Sequence, residues 1–293
     1  MDDMEFSEST FWLINKISAS VFILSCVFGW FGNGMIVVTT FRSTKLRHSS
    51  NTLIALQATS DFIHQLGQIP FFYFSFGEIL ISLKTCFWIH FAFFSAIDFS
   101  TIIMIFLAID RLTATTTPFY YKSINGAHYV SVAVATAFSY CVIFKYLIYT
   151  NLTEGLTLCI VVESVSGKIA TIWFLANSIL NVGIIVIYGL VTGVLKKRRE
   201  RNGQLINSLN TIMITHIFGW CFTMTTNSVA KAVKMSHFGF IAVAALAGIS
   251  IHINMAIPFY VYYWRSGLYR QEFRSTLGLR NDVGDMVQSN ESL

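Results

Sequence analysis

The sequence predicts an all-α membrane protein: a seven-transmembrane helix bundle followed by a short amphipathic helix on the membrane surface. Three observations predict it. Of 293 residues, 54% are hydrophobic and only 12% are charged, whereas soluble domains carry roughly 25% charged residues. The mean hydropathy of +0.60 agrees. Seven apolar runs follow one another, at about Ile17–Phe41, Ser50–Phe74, Phe87–Ile109, Tyr129–Tyr149, Ile169–Leu195, Ile206–Ala230 and Phe238–Trp264. Helices of about 20 residues cross a hydrocarbon core of about 30 Å, whereas spanning strands are alternating runs of about ten. Only helices or a closed barrel satisfy their backbone without water.

The spans leave no room for a sizeable soluble domain. The chain divides into an N-terminal segment 1–16, a bundle 17–264 and a tail 265–293. The first segment carries Asp2, Asp3, Glu5 and Glu8, the wrong charge for the start of a signal peptide, and the run after it is too long for that peptide's apolar core. The run is expected to stay as the first span. The net charge of +5 does not point to nucleic acid, because the cations gather at helix ends. Fourteen Lys and Arg fall on one side, among them Arg42, Arg47, Arg111, Lys122 and Arg265, against six on the other, including Lys16, Lys84 and Lys145. The positive-inside rule puts the first side in the cytoplasm. A multi-pass protein of the cell membrane follows, N-terminus extracellular and C-terminus cytoplasmic.

The first span carries Gly32-Asn33, the second Asn51, Asp61 and Pro70. Asp61 falls near mid-membrane, where an acid costs roughly 2.5–3.5 kcal/mol on insertion scales unless it faces the bundle interior. It sits either protonated with one neutral hydrogen bond or in a hydrated polar cluster. From Cys86 to Arg111 a helix is about 37 Å long. Leu107, Met104, Ser100, Ile97 and Phe93 share the face of Arg111 and point at protein. Asp98 points away from that face, as a hydrogen-bonding group between helices. Asp110 beside Arg111 at the inner interface forms an ion pair, which is either a bistable latch or a static pair of charges.

Five cysteines are present. Cys26, Cys141 and Cys221 lie inside spans and pack as small apolar groups. Cys86 and Cys159 fall in the oxidising outer compartment, which predicts a disulfide; the alternative is two free interfacial thiols. Asn151-Leu152-Thr153 is a glycosylation acceptor in the outer loop after the fourth span, whereas Asn290-Glu291-Ser292 lies in the inner tail and is set aside. In span five, Asn177 and Asn181 stand one turn apart and serve hydrogen bonds in the core. The run from Lys196 to Arg201 reads as positive-inside charge beside anionic lipid. Trp220 and Phe222 of span six pack. After span seven, Tyr269, Phe273 and Leu277 recur every four residues with Arg270 and Arg274 offset, a short amphipathic helix at the membrane surface.

These residues resemble rhodopsin-like G-protein-coupled receptors. That family has a cysteine at the outer end of its third helix, Asp-Arg-Tyr at the inner end and a proline seven residues after the Arg. Here these are Cys86, Asp110-Arg111 and Pro118, with Leu112 in place of the Tyr. Gly32-Asn33, Asp61 and YYWRSGLYRQEF complete a pattern most like the nematode serpentine chemoreceptors of the srsx class, over roughly Phe28 to Leu277. The resemblance implies a sodium-site-like polar cluster of Asn33, Asp61 and Ser100. It implies an activation switch of Asp110, Arg111 and Pro118 with a tyrosine of span seven. Counting from the tail that tyrosine is Tyr263; counting from Pro258 the position is Val261, with Tyr262 next. Alignment on Phe218 places Phe222 at the family's span-six tryptophan position, without the usual proline. Phe93 stands where amine receptors of the family carry an Asp, so a monoamine lacks its counter-ion. Phe93, His90, Ile97 and Phe222 are the implied ligand pocket, with Lys145 and Glu163 at its rim.

The expected function is reception of an extracellular small molecule or peptide and activation of a heterotrimeric G protein, in contact with membrane lipid and without nucleic acid. No cofactor is expected beyond an allosteric sodium ion. A neuropeptide receptor of the same fold is the alternative. A transporter would need paired ionisable groups along a path or broken helices in matching halves; spans four to seven hold almost none, and no internal repeat is visible. An enzyme is not expected, because His90, His216 and His252 lack metal-ligand spacing.

Overall fold

The computed structural model describes residues 7–165, 167–197, 211, 215 and 217–279. The Lys196–Arg201 run beyond Lys197, most of the inner half of span six with His216, and the last residues with Arg280 lie outside them.

Helix α1 runs Glu8–Arg42. Ser7 caps it by accepting from the Thr10 amide at 3.3 Å, and Glu8 and Arg42 complement its dipole at either end. The segment expected as a separate N-terminus is thus mostly helix, continuous with the first span. Phe11 and Trp12 are buried there against Phe71, Leu158 and Ile241.

The second span is broken. Helix α2 (Ser49–Leu66) gives way at Gly67 to α3 (Gln68–Gly77). Pro70 removes an amide and crowds the carbonyl four residues back, which breaks the ladder at this point. Gly67 is required there, because a Cβ would lie 2.7 Å from Cβ of Phe93.

Helix α4 (Leu83–Thr116) is the axis of the bundle. Its most apolar window is 61% buried, against 28% for that of α6, Gly126–Thr150. Pro118 ends it and opens the short helix α5 (Pro118–Ser123), a position where its missing amide costs nothing. Asn125 then caps α6 by accepting from the amides of Ala127 and His128.

Two short strands, not expected from the sequence, lie at the end of the bundle where α4 begins. β1 (Ile81–Ser82) pairs antiparallel with β2 (Leu156–Thr157), with Ile81 opposite Thr157. Helix α7 (Gly167–Lys197) follows. A π-turn at Ile217–Cys221 leads into α8 (Phe222–Ala232). Helix α9 (His237–Ala256) is separated at Ile257 from α10 (Pro258–Arg265), again at a proline. Helix α11 (Gly267–Thr276) buries Tyr269 and Phe273 and leaves Arg270 exposed, whereas Leu277, expected on the same apolar face, lies past its end and is exposed.

Five of the described helices are long and apolar enough to cross a membrane: Glu8–Arg42, Leu83–Thr116, Gly126–Thr150, Lys168–Lys197 and His237–Arg265. The two runs that fall short are the broken second span and the sixth, whose inner half is largely outside the described residues.

Candidate functional site

At the end of the bundle expected to face the cytoplasm, Asp110 and Arg111 are adjacent on α4 but make no ion pair with each other among the described residues. The direct ion pair expected between them is therefore not formed. Asp110 is buried, and both its oxygens are taken: Ser50 donates to Oδ2 at 2.5 Å and Tyr121 donates to Oδ1 at 3.1 Å. The acid therefore joins α4 to the first turn of α2 and to α5. Pro118 matters here because it starts the helical turn that brings Tyr121 back under α4. Burial pushes the Tyr121 phenol above its ordinary value, so the hydroxyl keeps its proton to donate. The charge of Arg111 acts on Tyr188 of α7 and Tyr262 of α10.

Halfway up, Ser100 donates to Oδ1 of Asp61 at 3.1 Å. Asn33 uses its amide nitrogen on the Met255 carbonyl at 3.1 Å, and its Oδ1 is buried without a hydrogen bond among the described residues. Asn33 and Asp61 line one small cavity of about 40 Å³, together with Gln57, Asn254 and Tyr262. A carboxylate and an unspent amide oxygen around that volume, with the Ser100 hydroxyl on the carboxylate, are oxygen donors of the kind a small hard cation takes. The residues fit a sodium ion.

Tyr262 is the span-seven tyrosine that faces this interior; it also stacks on Tyr269, with ring centroids 4.8 Å apart. Tyr263 packs instead toward Phe259, at 6.0 Å. Asn254 meets Gly219 of the π-turn, where a Cβ would come within 2.5 Å of Asn254 Cβ. The absence of a side chain at Gly219 sets how closely spans six and seven approach.

In the outer half, Asp98 bridges helices as expected, but its partners are new. Lys145 of α6 donates to Oδ2 at 2.5 Å and Trp173 of α7 donates to Oδ1 at 2.8 Å. Lys145 Nζ also sits 3.3 Å over the Phe94 ring. Lys145 is thus buried in the bundle and is not the rim contact expected.

Cys86 and Cys159 form the predicted disulfide, with Cα atoms 5.4 Å apart. It draws the loop after α6 into the bundle mouth, where Leu158, Cys159, Ile160 and Val161 are buried. Asn151, the expected glycosylation acceptor, is exposed at the end of α6. Glu163 is also buried in this loop; Thr157 donates to its Oε2 at 3.2 Å, and His237 Nδ1 stands 3.6 Å from the same oxygen. Burial pushes its carboxyl above the ordinary carboxylate range, against the smaller opposing pull of His237 and Lys231.

Of the expected pocket residues, His90 and Ile97 are buried, and Phe93 packs on Gly67. Phe222 is 55% exposed on the outside of the bundle, and Trp220, 4% exposed, occupies the interior beside Phe94, Ile97 and Trp173. The π-turn adds a residue to the helical turn and rotates the later side chains, so alignment on Phe218 selects the wrong aromatic. Cys86, His90 and Cys159 group their ligating atoms within 4.8 Å, but both sulfurs are spent in the disulfide. Sequence reasoning missed Ser50, Tyr121 and Trp173. All three are partners of acids it had singled out, but they lie 60, 11 and 75 residues from those acids, beyond any helical spacing.

A family model described as serpentine type 7TM GPCR chemoreceptor Srsx matches residues 26–277. No curated protein matches the chain.

Proposed function

Since the chain belongs to the Srsx family of serpentine seven-transmembrane chemoreceptors, we propose that it detects an extracellular small molecule and passes the signal to a heterotrimeric G protein. The observation that carries this reading is the inner end of α4. Asp110 is held by Ser50 and Tyr121 and forms no salt bridge to Arg111 among the described residues, while the charge of Arg111 acts on tyrosines of α7 and α10. A cation placed between separately moving spans is a two-state element that a ligand or a protein partner can bias. Phe119, 90% exposed beside Pro118 at the same end, adds an apolar contact point for a partner.

The proposal includes a seven-span topology with the N-terminus outside and α11 lying on the inner membrane surface. The Lys/Arg asymmetry, the disulfide-tethered outer loop and the exposed Asn151 support that orientation, and Asn151 is the proposed glycan site. A buried loop in the bundle mouth favours a small molecule over a peptide, because little space is left for a folded chain. Asp61, with Ser100 and Asn33, would hold the proposed allosteric sodium ion, whose charge would neutralise an acid in low dielectric.

The test is ligand-dependent calcium or cAMP signalling in cells supplied with a promiscuous G protein, set beside substrate flux in reconstituted vesicles. Signalling lost in Arg111→Ala at normal surface expression supports the reading. Flux without signalling makes the chain a carrier instead.

A further inference from the structure

Three imidazoles from three different helices converge in the outer half of the bundle: His64 of α2, His90 of α4 and His252 of α9. His64 and His252 stack with ring centroids 5.5 Å apart and planes within 8°. Phe93 joins His90 to this pair: its carbonyl lies 3.2 Å from His64 Nδ1 and its ring 6.0 Å from the His90 ring. All three are buried.

Two of the rings have their tautomer set by backbone. His64 Nδ1 lies 3.2 Å from the Phe93 carbonyl, and His90 Nε2 lies 3.4 Å from the Cys159 carbonyl. A carbonyl only accepts, so each of these nitrogens carries the proton. In the neutral ring the other nitrogen is then a lone-pair acceptor. For His90 that acceptor is Nδ1, which is buried and makes no hydrogen bond among the described residues; His252 Nδ1 is in the same condition. Buried polar atoms are nearly always satisfied, so each such atom calls for a partner. The two acids in this part of the membrane are already engaged, Asp61 with Ser100 and Asp98 with Lys145 and Trp173. The cluster therefore offers a lone pair at His90, an unpaired ring nitrogen at His252 and no counter-charge. Around it stand aromatic walls: Phe22 lies 4.2 Å from His252 and 5.5 Å from Phe71, and Phe93 lies 6.0 Å from His90.

We propose that His64, His90 and His252 form the recognition site for an uncharged ligand that donates a hydrogen bond, such as an alcohol or phenol with an apolar body. This deepens the receptor reading above and rests on it only for what binding is used for. The hydroxyl would satisfy His90 Nδ1 or His252 Nδ1, and the hydrocarbon would lie on the phenylalanines. Because His90 also holds the Cys159 carbonyl, the same ring links the site to the outer loop.

The experiment is thermal stability of the purified full-length chain with matched probes: 2-phenylethanol and its methyl ether, and 1-hexanol and its methyl ether. Methylation keeps the oxygen acceptor and removes the donor. At concentrations several-fold above the dissociation constant, the alcohols should raise Tm by about 2–4 °C, the ethers by clearly less. The preference should vanish in His90→Phe and His252→Phe; where either fails to fold, His252→Gln, which keeps a polar group in different geometry, should weaken it. Equal stabilisation by alcohol and ether, no stabilisation by any probe, or a preference that survives in the variants would overturn the site. Binding of alcohols without any cellular signal would remove the receptor reading and leave the site standing. Signalling with no alcohol preference would do the reverse.

Discussion

Ser50 of α2 donates to Oδ2 of Asp110 of α4 at 2.5 Å, across 60 residues of sequence. The bond engages the acid whose neighbour is Arg111. Charge-assisted hydrogen bonds of this kind contribute roughly 1.5–3 kcal/mol. Ser50→Ala should therefore lower thermal stability by about that amount, and it should free Asp110 to turn toward Arg111. Basal and ligand-stimulated signalling should both fall at matched surface expression, and Tyr121→Phe should act in the same direction. Signalling that rises in Ser50→Ala would mean that the clamp restrains the active state instead.

Asp98 and Lys145 form a fully enclosed ion pair, with 0% and 5% of their side chains exposed. Removing one partner leaves a charge uncompensated in low dielectric, which typically costs 3–5 kcal/mol, whereas replacing both with apolar groups is often neutral. Lys145→Met should therefore nearly abolish surface expression, and the double change Asp98→Leu/Lys145→Met should recover much of it. Surface counts of tagged receptor read this directly. A double variant no better than the single would indicate that Trp173 and Phe94 need the charges in place.

Much of the bundle was legible because helical spacing alone assigns faces. Counting back from Arg111 puts Leu107, Met104, Ser100, Ile97 and Phe93 on the protein-facing side; the first four are buried and Phe93 is half-buried. Asp61 was legible as an interior group because lipid excludes it. What counting missed has physical causes. Tyr121 reaches Asp110 only because a proline interrupts the helix between them. Lys145 read as an outer cation because Lys usually marks an interface; its partner Asp98 lies 47 residues away. The pairing of Ile81 with Thr157 spans a loop whose course depends on the disulfide.

The Asp61 cavity makes a prediction about ions. If Asp61, Ser100 and Asn33 hold sodium, then raising sodium at constant ionic strength should raise the Tm of the purified chain, while Asp61→Asn should be insensitive. Potassium at the same strength is the control for screening. An identical response to both salts, in both proteins, would exclude a selective site.

Glu163 predicts a pH dependence. Its carboxyl is held above the ordinary 4.5, chiefly by burial. The folded chain then binds this proton more tightly than the unfolded chain does. Its contribution to stability is full below about 4.5 and is lost as pH rises through the folded value. Thermal stability of the purified chain should decline from pH 4.5 upward more steeply than that of Glu163→Gln, which keeps an acceptor for Thr157 and cannot ionise. A steeper decline in the variant would show that the charges of His237 and Lys231 outweigh burial.

Trp220 and Phe222 stand two residues apart, about 200° around a helix, so that with Trp220 turned inward Phe222 faces out. Trp220 packs among Phe94, Trp173 and Met224 in the core, whereas Phe222 presents itself outward. Truncating a buried tryptophan removes its transfer energy and leaves a cavity, a loss of about 3–5 kcal/mol. Truncating a side chain on the outer surface usually changes stability by about 0.5 kcal/mol or less. Trp220→Ala should thus lower Tm strongly and reduce signalling, and Phe222→Ala should leave both near wild type. The opposite pattern would mean that span six is regular through this stretch, with Phe222 inside, as alignment on Phe218 implies. Because Gly219 lies against Asn254 within the same turn, Gly219→Ala supplies an independent check: a Cβ there must push spans six and seven apart, so it should depress stability even though alanine favours a helix.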